Sequence, residues 1–424
     1  MGASEGGAAV EAGGIALPWY REINADGWRA LLLAGLGWLF EVYEIFILAL
    51  TIPALIAVFS LTRAEAGLIG SASAIGLIVG GILFGLVVDW IGRVRTLILV
   101  IFIYSLFTGL TALAPDALWV GILRCLAGFG MGGAWTAGAA LVAETWGARH
   151  RGKGGALMQM GLPLGSLLAI GVVLLVSHIG GDLAAGPWRW IYAIGTLPFF
   201  ILLPVALKTP ESPLWLGRAR AGKARGNVAD LFRGQNARGL SRAVGFIFFI
   251  QYVYWAVFTW TPTFLVTVKH FGFVHSLGFT LAQQIGSLVG FVGFAALVDR
   301  LGRRPTFTIY LAIGAVAVAA FVTANQPAPL LIASFFTGVG VTGLFAGMGP
   351  FAAELVPNTS ARGFAMGLAY NGGRVGGLLA PYVVGALATN AAGFQAGMLT
   401  TIIAFVLAWC VILISPETKG TKLA

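Results

Sequence analysis

Long apolar stretches alternate with short polar clusters along most of the chain. A helix needs about 20 predominantly apolar residues to cross the hydrocarbon core of a bilayer. By this criterion the pattern predicts twelve membrane spans, at about 29–59, 66–88, 95–114, 118–144, 154–179, 188–208, 243–268, 277–298, 305–325, 328–355, 362–389 and 393–415. The sequence therefore predicts an all-α membrane protein rather than a water-soluble domain.

Residues 209–242, between the sixth and seventh spans, form the one long polar connection in this pattern. The segment contains seven basic residues, which are Arg218, Arg220, Lys223, Arg225, Arg233, Arg238 and Arg242. We predict that it is a solvated linker between an N-terminal six-helix half (29–208) and a C-terminal six-helix half (243–415). Short tails, 1–28 and 416–424, flank the two halves.

The composition agrees with this prediction, because 58% of the residues are hydrophobic and only 10% are charged. Soluble domains carry about 25% charged residues. The net charge of +10 does not indicate nucleic-acid binding, since the basic residues are spread over separate loops. With the N-terminus inside, the inner segments hold 21 of the 26 Lys and Arg residues and the outer loops hold three. This bias predicts that both termini and the linker lie in the cytoplasm. We expect the chain to be a multi-pass protein of the bacterial inner membrane.

The two halves repeat each other. The segment Asp89-Trp90-Ile91-Gly92-Arg93 recurs as Asp299-Arg300-Leu301-Gly302-Arg303, and Glu144 recurs as Glu354 in the same register. A duplicated helical unit places a substrate site between the halves, near the middle of the membrane.

Several motifs resemble those of the major facilitator superfamily. Gly85-x-x-x-Asp89-x-x-Gly92-Arg93-x-Arg95 resembles its loop signature after the second helix, and Arg124-x-x-x-Gly128 resembles its fourth-helix motif. Pro210-Glu211-Ser212-Pro213 and Pro416-Glu417-Thr418-Lys419-Gly420 resemble the ends of the halves in its sugar-porter-like and metabolite–proton symporter branches. The resemblance implies a secondary transporter that works by alternating access, not an enzyme.

The charges at the repeated loops predict a gate. A carboxylate beside an Arg can hold the end of a neighbouring helix through ion pairs and the helix dipole. We predict gating contacts for Asp89, Arg93, Asp299, Arg303, Glu144, Arg151, Glu354 and Arg362. The alternative is that these charges only orient the chain in the membrane. None of them is expected to contact substrate.

Four charged residues lie inside predicted spans, namely Glu41, Glu44, Arg124 and Arg374. Each costs about 2.5–3.5 kcal/mol at the centre of an inserted helix, so function is the default interpretation and structural ion pairing is the alternative. Glu41 and Glu44 are three residues apart, and their repulsion and desolvation favour the neutral form of at least one. We predict that this pair carries protons, with Arg124 drawing the carboxyl back to its charged form.

Glu41-Val42-Tyr43-Glu44 resembles the paired-acid motif of helix 1 in aromatic-acid and metabolite proton symporters, which usually has Asp at both ends. Glu44 also matches, by its spacing, the proton-linked acid of sugar porters. The resemblance therefore favours Glu44 over Glu41 as the proton site. In helix 4, Ala134 follows Gly132-Gly133 where the related symporters often have Glu.

Arg374 is the candidate for anion binding, because its guanidinium can hold a carboxylate with two hydrogen bonds. Tyr370, Asn371 and Arg374 form a polar stripe in a Gly-rich span that resembles helix 11 of aromatic-acid symporters and organic-anion carriers. Alternatively, Arg374 pairs with a backbone carbonyl or a helix-1 acid. Further candidate substrate contacts are Gln251, Tyr254, Trp255, Gln159 and Gln284. An aromatic wall facing an Arg suits a planar carboxylate, but it also suits a sugar.

These observations predict proton-coupled import of a small carboxylate. The alternatives on the same fold are a sugar-type or uncoupled facilitator and a drug exporter. No metal, cofactor or nucleic acid is expected, and the chain is expected to function as a monomer in the lipid bilayer.

Overall fold

The described residues form a bundle of twelve long helices. This computed structural model describes residues 18–61, 63–221, 228–271, 273–356 and 361–420. The helices are α1 (Ala25–Phe59), α2 (Arg63–Ile91), α3 (Arg93–Thr111), α4 (Ala117–Thr145), α5 (Arg151–Gly180), α6 (Trp188–Lys208), α7 (Gly234–Thr267), α8 (Phe273–Leu301), α9 (Arg303–Thr323), α10 (Pro327–Leu355), α11 (Arg362–Leu387) and α12 (Ala391–Ile414). The prediction of an all-α fold with twelve helices is confirmed.

Eleven of these described helices are long and apolar enough to cross a membrane. The remaining helix is α11, whose many glycines, together with Asn371 and Arg374, lower its hydropathy. Three helices are locally irregular: α5 is interrupted at Met160, α6 is interrupted between Ile194 and Leu197, and α10 contains a π-helical turn at Gly338–Thr342.

The predicted linker contains regular structure of its own. A short helix, Pro213–Arg220, follows α6, and α7 begins at Gly234, nine residues before the predicted start of the seventh span. The first turns of α7 are polar, so a criterion based on apolar content misses them. Lys223 and Arg225, and the outer parts of the two predicted tails, lie outside the described residues.

The helices pack as two similar halves, α1–α6 and α7–α12. In the first half α2 and α3 pack on α4, and in the second half α8 and α9 pack on α10. Between the halves, α2 packs on α11 and α5 packs on α8. These two contacts are equivalent, because α2 and α5 of the first half correspond to α8 and α11 of the second half. We call the end of the bundle where α1 begins and α12 ends the terminal end.

The helices α2 and α4 approach so closely that only glycine fits between them. A Cβ atom on Gly80 would lie 1.9 Å from the backbone oxygen of Phe129, and one on Gly76 would lie 2.0 Å from that of Cys125. The second half repeats this contact, because a Cβ atom on Gly286 would lie 2.0 Å from a backbone oxygen of α10. Small residues bring membrane helices together where lipid provides no hydrophobic driving force.

Replacing Gly80 by alanine is expected to force α2 away from α4 and to destabilise the bundle by about 1–3 kcal/mol, the usual cost of overpacking. The melting temperature of the detergent-solubilised protein measures the effect. Gly121→Ala in α4 is the matched control, because a Cβ atom there meets nothing within 4 Å. Equal melting temperatures for the two variants would contradict the close contact.

Candidate functional site

A central cavity of about 440 Å³ lies between the two halves. Most of its lining comes from α1, α2, α7 and α11, with Leu162 of α5 and Phe345 of α10. Six aromatic residues line it, which are Trp38, Phe46, Tyr254, Trp255, Phe345 and Tyr370. Arg374 is the one charged residue in this lining among the described residues. The volume lies within the range of pockets that bind small molecules.

Arg374 is held in place by three contacts. Its Nη1 donates a hydrogen bond to Asn371 Oδ1 at 2.9 Å, and its Nη2 donates to Glu41 Oε1 at 3.0 Å. Its guanidinium carbon also lies 4.7 Å from the centre of the Tyr370 ring, a cation–π contact. The side chain is 11% exposed, so part of it faces the cavity.

The pair Glu41–Arg374 joins the two halves near the middle of the bundle, because Glu41 lies on α1 and Arg374 on α11. Glu41 is fully buried, and it does not line the cavity. Its second oxygen accepts the backbone N–H of Trp135, at 3.2 Å. The alternative prediction, in which Arg374 pairs with an acid of helix 1, is therefore observed in the structure. Arg374 nevertheless also faces the cavity.

Glu44 forms a separate pair within the first half. Thr108 Oγ1 donates to Glu44 Oε2 at 2.6 Å, and Arg124 Nη1 lies 3.4 Å from the same oxygen. Arg124 Nη2 also donates to the backbone oxygen of Glu44, at 2.9 Å. Glu44 and Arg124 are fully buried, and neither lines the cavity. Glu41 and Glu44 thus pair with two different arginines, Arg374 and Arg124.

The remaining predicted substrate contacts are divided between the cavity and the protein interior. Gln251, Tyr254 and Trp255 line the cavity, and Trp255 Nε1 donates to Gln251 Oε1 at 3.1 Å. Gln159 does not line it, because its amide bonds to Trp135 Nε1 and to the backbone oxygen of Phe345. Gln284 is half-buried and also lies outside the lining.

Two tryptophans near Arg374 were not among the predicted residues. Trp135 stacks on Tyr370 with ring centres 3.6 Å apart, and Trp38 meets the same ring edge-on at 6.2 Å. Trp38 lies three residues before Glu41, so the helical period could have placed it on the face that carries this acid. The sequence contains no comparable signal for Trp135, whose position depends on how α4 packs.

Charged side chains join the halves at the terminal end. Arg93 donates two hydrogen bonds of 2.8 Å to the Glu144 carboxylate, and Arg362 of the second half donates to the same carboxylate over 3.3 Å. Asp89 accepts two backbone N–H groups at the start of α11, at 3.1 and 3.0 Å. A carboxylate at this position is stabilised by the helix dipole.

The second half repeats this arrangement. Arg303 bonds to Glu354 at 2.9 and 2.7 Å, and Arg151 of the first half donates to the same carboxylate over 3.3 Å. Asp299 accepts the backbone N–H of Lys153, near the start of α5, at 3.1 Å. The eight residues predicted to gate thus lie in two symmetric clusters, which we call the charge clasp. Their gating role stays a prediction.

The cavity lies beyond the charge clasp, toward the other end of the bundle. The lining segments 70–78 of α2, 251–259 of α7 and 370–381 of α11 all lie away from the terminal ends of these helices. The charge clasp and the cavity therefore lie at different levels of the bundle, with the charge clasp at the terminal end.

Two repeated halves around a central cavity define a multi-pass membrane transporter. Residues 33–296 and 276–424 match the family model of the Major Facilitator Superfamily. The chain belongs to this superfamily and is a transporter rather than an enzyme.

Similar proteins include three that are named as transporters. The "Probable 4-methylmuconolactone transporter" of Cupriavidus pinatubonensis is 31% identical, over 95% of this chain and 93% of the relative. The niacin transporter NiaP of Acinetobacter baylyi is 28% identical, over 93% and 94% of the two chains. The cis,cis-muconate transport protein of the same organism is 28% identical, over 87% and 89%.

A solved structure has the same fold. The proton:xylose symporter XylE, bound to 6-bromo-6-deoxy-D-glucose, matches with a TM-score of 0.79 over 94% of this chain and 97% of that chain. The two sequences are 23% identical.

Proposed function

We propose that the chain imports a small planar carboxylate together with protons by alternating access. The observation that carries this proposal is Arg374, a permanently charged guanidinium that faces the cavity and can hold a carboxylate with two hydrogen bonds. The aromatic lining supports a flat substrate, because flat rings pack well against one another.

The polar character of the lining also favours a carboxylate over a sugar. A sugar needs hydrogen-bond partners for several hydroxyl groups, since each polar group buried without one is costly. Beside Arg374 and the aromatic residues, the polar side chains in the lining are Ser73, Gln251 and Thr259. Gln251 already accepts a hydrogen bond from Trp255.

The names of the relatives support the same class of substrate. Niacin and cis,cis-muconate are both conjugated carboxylates, and these relatives match this chain along most of its length. We infer that the substrate here is a conjugated or aromatic acid of similar size.

We propose a bacterial inner-membrane location. We place the terminal end in the cytoplasm, because the topology predicted from the sequence puts 21 of the 26 Lys and Arg residues on that side. The cavity then faces the outside, and the charge clasp is the cytoplasmic gate. One chain carries both halves and the whole cavity, which supports a functional monomer.

Counterflow tests the substrate class. Proteoliposomes loaded with one unlabelled compound are diluted into the same labelled compound, and only a carrier exchanges the two. We expect exchange of nicotinate, benzoate or cis,cis-muconate, and none of xylose or of a cationic drug. Exchange of xylose or the drug without exchange of any acid would contradict the proposal.

A further inference from the structure

Arg374, the group proposed to bind substrate, is already paired with an acid of the protein itself. We propose that Glu41 is the coupling carboxyl of this transporter: it holds Arg374 until it takes up a proton, and the substrate carboxylate then occupies the guanidinium. The inference rests on the proposed function and adds to it a route and a stoichiometry of one proton per carboxylate.

The geometry allows a substrate to reach Arg374 but not Glu41. Arg374 lines the cavity and is 11% exposed, whereas Glu41 is fully buried behind it. One nitrogen of the guanidinium bonds to Glu41 and another to Asn371. A carboxylate that arrives from the cavity therefore competes with Glu41 for the same cation.

The net charge of the buried site selects which states can form. Ionised Glu41 with Arg374 is neutral, and so is protonated Glu41 with Arg374 and a bound carboxylate. Substrate beside ionised Glu41 would leave one uncompensated negative charge, and protonated Glu41 without substrate would leave one positive charge. Unpaired charge is costly inside a membrane protein. The protein therefore changes between its outward-open and inward-open conformations only in one of the two neutral states. This restriction links the transport of one proton to the transport of each carboxylate.

Among the described residues, Arg374 is the one cation that pairs with Glu41, so no second cation compensates the extra negative charge when the proton is missing. Trp135 of α4 offers only a backbone N–H to it, and Tyr104 of α3 and Tyr370 of α11 are neutral phenols that interact with it electrostatically. The nearby carboxylate of Glu44 is matched by its own arginine of α4.

The contacts favour Glu41 over Glu44 for this role, although the sequence motif favours Glu44. Glu44, Arg124 and Thr108 all belong to the first half, and neither member of the ion pair lines the cavity. A substrate bound at Arg374 does not replace any partner of Glu44. We assign Glu44 a positioning role in the first half.

Proton uptake on binding tests the inference with the wild-type protein. Nicotinate, benzoate and cis,cis-muconate are added to detergent-solubilised protein in weakly buffered solution at pH 8. Binding is measured by calorimetry, and proton uptake is measured with a pH indicator. We expect about one proton taken up per bound carboxylate group held by Arg374. Binding affinity then falls about tenfold per pH unit as the pH rises, while Glu41 is ionised before binding.

Glu41→Gln is expected to abolish both the proton uptake and the pH dependence. Because glutamine no longer competes for Arg374 as an anion, the variant should bind acid more tightly than the wild type at pH 8, by at least tenfold. It should keep counterflow and lose accumulation driven by a proton gradient. Glu44→Gln is the matched control and should still take up one proton on binding.

The outcomes separate the two proposals. If the wild type binds an acid and takes up no proton, or if Glu44→Gln alone abolishes the uptake, the role of Glu41 is refuted and the proposed substrate class survives. If the wild type binds none of the three acids, both proposals fail. Should Glu41→Gln not fold, the proton counts of the wild type and of Glu44→Gln together still decide.

Discussion

Replacing Arg374 by alanine is expected to abolish measurable counterflow of the acid substrate. Truncating one member of a buried, hydrogen-bonded charge pair costs about 2–5 kcal/mol, or roughly a 30-fold to several-thousand-fold loss of affinity. Arg374→Lys retains the charge but not the planar fork, so we expect a smaller loss with a raised KM. Both variants are compared in counterflow and in equilibrium binding of the same acid.

Arg29→Ala is the matched control for these variants. Arg29 pairs with Asp26 at the terminal end, where both side chains are 51% exposed, and such surface pairs contribute little. We expect its KM to equal that of the wild type. An unchanged KM in Arg374→Ala would return Arg374 to a structural role and would contradict the anion site.

Replacing Glu144 by glutamine is expected to open the charge clasp. The carboxylate compensates Arg93 of its own half and Arg362 of the other half, and all three groups are fully or almost fully buried. Removing one partner of a buried ion pair costs about 3–5 kcal/mol, equivalent to a shift of at least 100-fold in the population of the closed state.

Distances between spin labels measure this shift. Trp90 at the end of α2 and Leu301 at the end of α8 are exposed positions on opposite halves at the terminal end, and Cys125 and Cys410 are replaced by Ser beforehand. We expect longer distances in Glu144→Gln and a marked loss of gradient-driven transport. Asp26→Asn, which breaks only an exposed pair, should change neither. Identical distance distributions in all variants would show that the clasp does not gate.

The fold was predictable because eleven of the twelve described helices are long and apolar and because the two halves repeat. The repeat also indicated the charge clasp, since Asp89 and Asp299 occur in the same motif at the ends of α2 and α8. They accept backbone N–H groups near the starts of α11 and α5. By contrast, the start of α7 at Gly234 was not predictable from hydropathy, because its first turns are polar and extend beyond the apolar segment.

The pairing of the two acids with the two arginines was not predictable from the sequence. Residues three apart on a helix point about 60° apart, and the rotation of α1 in the bundle decides which neighbour each one meets. Glu41 points toward α11, and Glu44 toward α3 and α4. That rotation is set by packing along the whole helix and not by the motif itself.

The sequence also does not show which of the glutamines inside the spans face the cavity. Gln283 is buried and its amide donates to Thr261, so Gln284, one residue further along α8, points about 100° away from it. Gln159 bonds to Trp135 and Phe345 instead of facing the cavity. A polar residue in a span indicates an interior position, but only the packed structure distinguishes a cavity wall from a satisfied hydrogen bond.

Proton coupling is tested by the accumulation of a labelled acid in proteoliposomes, with and without an inward proton gradient. We expect an acid found by counterflow to accumulate above equilibrium only when the gradient is present, and we expect this accumulation to disappear in Glu41→Gln while exchange remains. Equilibration of the acid to the same level with and without the gradient would contradict proton coupling and indicate an uncoupled facilitator.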